Sequence, residues 1–85
     1  MLRYFIEEEA SLKASFSFSN FRVAFAFMTE VAFLAEKLGH HPNWYNVYNR
    51  VDIELFTHDA GNILTELDYK LAIKIEEIVD KYLKK

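Results

Sequence analysis

Residues 12–39 read LKASFSFSNFRVAFAFMTEVAFLAEKLG, and the period of their apolar residues changes once, at Ser19 and Asn20. Before that point Leu12, Ala14, Phe16 and Phe18 alternate with Lys13, Ser15, Ser17 and Ser19. A period of two describes a strand with one apolar face and one wetted face. After it, Phe21, Ala24, Phe25, Met28, Ala32, Ala35 and Leu38 recur every three or four residues, the broad apolar face of a helix. Ser19 or Asn20 can cap that helix by accepting a backbone N–H. Gly39 stands where a helix end needs a left-handed residue, and Pro42 keeps the helix from resuming.

The same periodicities extend outward. Leu2, Tyr4 and Ile6 alternate with Arg3, Phe5 and Glu7 as a first strand, and Glu8 to Ser11 form its turn. Residues 46–56 are rich in Val, Ile, Tyr and Phe. Asn49 and Arg50 divide them into a hairpin whose later strand turns Val51, Ile53 and Leu55 to one side. Residues 57–62 form a loop containing Gly61. Thr65 opens a final helix with Asp68 in a capping-box position, and Leu67, Leu71, Ile75, Ile78 or Val79, and Tyr82 form its buried stripe. Two hairpins, each followed by a helix, predict an α+β fold: a four-stranded antiparallel sheet with both helices on one face, in the order β-β-α-β-β-α.

Eighty-five residues make one domain, spanning 1–85. A chain this short buries only roughly 60–65% of the surface its unfolded form exposes. Yet 52% of the residues are hydrophobic and 16% aromatic, too many for a disordered chain. Some of that surface is available to a subunit interface. The net charge is −3, and the only dense basic stretch is the tail of Lys81, Lys84 and Lys85, which a helix C-terminus favours in any case. Nucleic acid is therefore not expected as a ligand. Without cysteine there is no disulfide, thiolate metal site or cysteine nucleophile. The longest apolar run, Val23 to Met28, is far too short to span a membrane, so no membrane partner is expected and the cytoplasm is the expected location.

All three histidines fall between positions 40 and 58, in or beside loops. Histidine gives and takes a proton near neutral pH, and loops at the ends of rigid elements commonly display functional side chains. Two readings stay open on spacing alone: an acid–base cluster formed by His40, His41 and His58, or ordinary loop histidines, one of them favoured by a helix C-terminus. A tri-histidine metal site would need all three rings to converge, and no established ligand spacing is present. Glu36 lies four residues before His40, close enough on a helix to orient its ring. Asp68 either faces a substrate or only caps its helix. Trp44 and Tyr48 flank the hairpin, where an aromatic ring either stacks on a flat heterocycle or belongs to the core.

Residues 36–49, EKLGHHPNWYNVYN, together with residues 57–61, THDAG, resemble the pterin-4a-carbinolamine dehydratases. The family pattern is an acidic or basic residue, three positions, His-His-Pro, an aromatic, a further His and then Asp. Glu36, His40, His41, Pro42, Tyr48, His58 and Asp68 fill it in order. The resemblance covers nearly the whole chain. Family members often carry a further helix before the first strand, whereas this chain begins almost at that strand. The segment Gly61, Asn62 and Ile63 looks one residue longer than usual, which shifts Asp68 relative to His58.

The resemblance implies dehydration of 4a-hydroxytetrahydropterin, the carbinolamine left by aromatic amino-acid hydroxylases, to quinonoid dihydropterin, in tetrahydrobiopterin recycling. It implies His40 and His58 as the acid–base pair, with His41 holding the substrate. Glu36, Trp44, Thr57, Asp59 and Asp68 would bind or orient. No cofactor or metal is required, because two imidazoles on opposite sides of a flat ring can move both protons. A homodimer or homotetramer is implied as well. Two rival readings follow from the same resemblance. One is a non-catalytic interaction module, since some animal members resemble a dimerisation partner for a transcription factor. The other is a role in the synthesis of another pterin cofactor.

Overall fold

The computed structural model describes residues 2–85. Its elements are β1 (Ile6–Glu8), β2 (Ser11–Ser17), α1 (Phe21–Leu38), β3 (Asn43–Val47), β4 (Arg50–Leu55), a single 3₁₀ turn (His58–Ala60) and α2 (Glu66–Leu83). The four strands form one antiparallel sheet in the order β1-β2-β4-β3. β2 and β4 are its centre, paired from Leu12 opposite Leu55 to Ser17 opposite Arg50. Both helices lie on the face to which Leu12, Ala14, Phe16, Val51, Ile53 and Leu55 point, and all six residues are buried. This is the α+β arrangement expected from the periodicities.

Phe27 plugs the space between sheet and helices. It lies edge-on to Phe16 at 5.7 Å and to Tyr82 at 6.1 Å, geometries that aromatic quadrupoles favour. The buried face of α1 is Ala24, Phe27, Val31 and Ala35, a stripe rotated from the expected one. Phe21 and Phe25 were expected inside but lie 46% and 55% exposed. The apolar arc of α1 is wider than the sheet can cover, so periodicity alone could not locate its centre.

The ends of α1 behave as expected. Asn20 Oδ1 accepts the Val23 N–H at 2.9 Å. Gly39 is left-handed (φ 67°), and two bonds close the end: Gly39 N–H to Glu36 O and His40 N–H to Ala35 O. This turn delivers His40 directly beneath the helix. The second hairpin turns one residue earlier than expected, at Tyr48 and Asn49, with Val47 opposite Arg50 and Tyr48 at φ 50°. Its first strand begins at Asn43 rather than Asn46.

The first strand also departs from expectation. β1 starts at Ile6, and the simple alternation is broken: Phe5 is buried and Ile6 is 68% exposed, while Leu2 and Tyr4 stay half-buried against the core. The cause is Glu76, buried on α2. Its carboxylate accepts the backbone N–H of Arg3, of Tyr4 at 2.6 Å and of Phe5 at 3.0 Å. Donors that a neighbouring strand would have used are given to a side chain more than seventy residues away. Asp80, one turn on, grips Arg3 and the Tyr4 hydroxyl. The Arg3 guanidinium, then the Tyr4 hydroxyl, hold the Asp80 carboxyl below its ordinary range. That contribution to stability is present above the unfolded carboxylate value and is lost as pH falls through the lowered one.

Replacing Glu76 by Gln leaves three buried or part-buried backbone donors on a neutral acceptor. The expected cost is about 2 kcal/mol in urea unfolding, against almost none for exposed Glu77→Gln. Equal midpoints for the two variants would contradict this role.

Candidate active site

Three chain segments meet at the end of the sheet where α1 stops: the turn after α1, the loop after β4 and the first turn of α2. Between them lies an open cleft of about 290 Å³ lined by His40, His41, Pro42, Thr57, His58 and Leu67, among others. All three histidines therefore face one cleft.

They face it in different states. His40 is 8% exposed, and its Nε2 lies 2.6 Å from Asp68 Oδ1. Asp68 is fully buried, and its other oxygen, Oδ2, accepts the Thr57 hydroxyl at 2.8 Å and the Thr65 backbone N–H at 2.9 Å. A carboxylate only accepts, so the proton between the ring and Asp68 belongs to Nε2. Among the described residues Nδ1 of His40 has no hydrogen-bond partner, and no buried side-chain nitrogen or oxygen lacks one. Nδ1 is thus the edge of the ring that reaches the cleft. A carboxylate behind one nitrogen both fixes the tautomer and stabilises positive charge arriving at the other.

His41 is exposed and pairs with Glu36 at 2.9 Å. Glu36 was expected against His40. The left-handed Gly39 turns the chain so that His40 goes inward and His41 stays beside the helix end. A contact this exposed contributes little to stability and serves mainly to orient the ring. His58 opens the 3₁₀ turn, is exposed, and lies 4.6 Å from the Phe56 ring, which limits where its imidazole can go. Asp59 follows it, exposed at the cleft. Gly61 and Asn62 both turn left-handed, and the loop is closed by Thr57 N–H to Ile63 O. The longer segment expected here therefore does not carry Asp68 away from the site.

Asp68 was expected either to face a substrate or only to cap its helix. The structure shows the cap, with the Thr65 N–H on its carboxylate, and adds a bond to His40, while the side chain is fully buried and does not line the cleft. Trp44 was expected at the site but does not line the cleft. Side chains alternate along β3, and Trp44 falls on the side packed against the core. Leu67 was counted in the buried stripe of α2, yet it is 44% exposed and forms part of the cleft wall. Thr65 was read only as a cap, and its hydroxyl lies 2.6 Å from that of Thr57. Spacing could have flagged neither residue, because both depend on how the loop after β4 meets α2. Among the described residues no group of three or more metal-ligating side chains is arranged to hold an ion, and no helix is long and apolar enough to cross a membrane.

The model of the pterin 4 alpha carbinolamine dehydratase family matches residues 3–78. The chain belongs to that family. A Rhizobium etli protein provisionally named a pterin-4-alpha-carbinolamine dehydratase is 57% identical over 75 residues, covering 88% of this chain and 73% of its own length. A Synechococcus relative of the same name is 56% identical over 71 residues, 84% of this chain and 75% of its own. Among solved structures, a Brucella melitensis protein described as a transcriptional coactivator/pterin dehydratase superposes with a TM-score of 0.82 at 44% identity, over 91% of this chain and 83% of that one. A pterin dehydratase-like protein identified as a RuBisCO assembly factor in the alpha-carboxysome gives a TM-score of 0.70 at 24% identity, over 91% and 87%. At that identity only the fold is shared. In this dehydratase-family chain the histidine pattern and the cleft coincide.

Proposed function

We propose that the protein is a cytoplasmic hydro-lyase that dehydrates 4a-hydroxytetrahydropterin to quinonoid dihydropterin in tetrahydrobiopterin recycling. The observation that carries the reading is the pairing of buried His40 with Asp68 in a cleft that also presents His41 and His58. The family membership and the Brucella melitensis neighbour support it.

The reaction breaks the C4a–O bond, forms a C4a–N5 double bond and releases water. One proton leaves N5 and one is delivered to the departing oxygen. His40 is the suited base: as Nδ1 takes the N5 proton, the new positive charge lies against the Asp68 carboxylate. His58 is the suited acid, facing the same cleft with no carboxylate bound to it among the described residues. His41, oriented by Glu36, holds the substrate, and Leu67 offers an apolar wall to the flat ring. Asp59, exposed at the cleft, would accept from pterin N–H groups in this reading. Both protons are carried by side chains of this chain.

The same reading includes a homodimer or homotetramer. Phe21, Phe25 and Phe33 are 46%, 55% and 74% exposed on α1, and such surface on a small domain favours self-association. Light scattering of the purified protein is expected to give a mass at least twice that of the chain; a monomer at micromolar concentration would contradict it.

With the carbinolamine generated in situ, His40→Ala and His58→Ala are each expected to lower the enzymatic rate of quinonoid formation about 10²–10⁴-fold. The far-ultraviolet spectrum of exposed His58→Ala should be unchanged. Full activity in His58→Ala would remove it from the acid–base pair. A wild-type rate no faster than the spontaneous one would overturn the dehydratase reading.

A further inference from the structure

The carboxylate that holds His40 is itself held from the far side. Asp68 Oδ2 receives the Thr57 hydroxyl at 2.8 Å and the Thr65 N–H at 2.9 Å, and the two threonine oxygens lie 2.6 Å apart. A hydroxyl has one proton to donate. Thr57 gives its proton to the carboxylate, so the proton between the two threonines comes from Thr65. A direct bond from the Thr65 hydroxyl to Asp68 would span 3.5 Å, too long to compete. The donors therefore run in one direction: Thr65 to Thr57, and Thr57 to Asp68 Oδ2, while Asp68 Oδ1 accepts His40 Nε2–H.

We propose that Thr65 is a positioning residue for His40, acting through Thr57 and Asp68. Its hydroxyl keeps the Thr57 proton aimed at Oδ2. With Oδ2 held by Thr57 and by the Thr65 backbone, Asp68 cannot rotate its carboxylate away from the ring. His40 is then held as the Nε2–H tautomer with Nδ1 toward the cleft. Thr57 is buried and Thr65 half-buried, so water cannot readily take over the missing donor. The contact also ties the loop that carries His58 to the helix that carries Asp68, since Thr57 immediately precedes His58. The effect on rate rests on the acid–base reading of His40; the effect on the His40 ring does not.

The test compares Thr65→Val, which keeps shape and backbone but loses the hydroxyl, with Thr65→Ser, which retains it. If valine unfolds the chain, Thr65→Gly replaces it, since glycine is also an accepted cap residue. Two readouts are taken: steady-state kinetics with carbinolamine generated in situ, and nuclear magnetic resonance of the ¹⁵N-labelled imidazoles. The hydroxyl-free variant is expected to lose about three- to tenfold in kcat with KM nearly unchanged, the effect of about one hydrogen bond. Its His40 Nε2–H signal should shift upfield or exchange faster with water. Thr65→Ser should restore both. An unchanged His40 signal and wild-type kcat in the hydroxyl-free variant would overturn the proposal, as would a serine variant that fails to restore them. If the wild-type protein shows no dehydratase rate, the dehydratase reading fails and the imidazole signal alone decides the role of Thr65.

Discussion

The carboxylate of Asp68 is the constraint on which the rest of the site depends. It is fully buried, and a charge there is tolerable only when both oxygens are hydrogen-bonded. Its partners come from three places in the chain: His40 after α1, Thr57 after β4 and Thr65 at the start of α2. Meeting that one demand brings together the ends of three elements, and the cleft lies where they meet. The aromatic core centred on Phe27 holds those elements at fixed separations, so the carboxylate is aimed by packing as well as by hydrogen bonds.

A second buried carboxylate does comparable work at another part of α2. Glu76 takes the backbone donors of residues 3–5 and so ties the start of the chain to the last helix. Both acids lie on the buried side of α2, among Leu71, Ala72, Ile75 and Val79. One serves the fold. The other serves fold and site together.

Much of this was legible in the residues themselves. The alternation of Leu12, Ala14, Phe16 and Phe18 identified the central strand, and Asn20 and Gly39 marked the ends of α1. These signals are local, set by the period of side chains and by single backbone conformations. What local pattern could not supply was direction. Phe21, Phe25 and Ala32 widen the apolar arc of α1, so its buried centre at Phe27 and Val31 was misplaced. Glu76 carries no local signal, because its partners are backbone groups more than seventy residues away. At the site, the three histidines were visible as a cluster and Glu36 and Asp68 as acids near them, but which carboxylate meets which ring was not. Glu36 stands at the right helical spacing for His40, yet one left-handed glycine gives it to His41 instead. Trp44 packs on the core side of its strand and does not line the cleft.

The coupling between Asp68 and His40 bears most directly on this account. A double-mutant cycle of Asp68→Ala and His40→Ala, followed by urea unfolding, measures it free of any assumption about substrate. The two side chains share a buried, charge-assisted hydrogen bond, and a coupling energy of about 1.5–3 kcal/mol is predicted. A coupling indistinguishable from zero would contradict the claim that this carboxylate organises both the fold and the site.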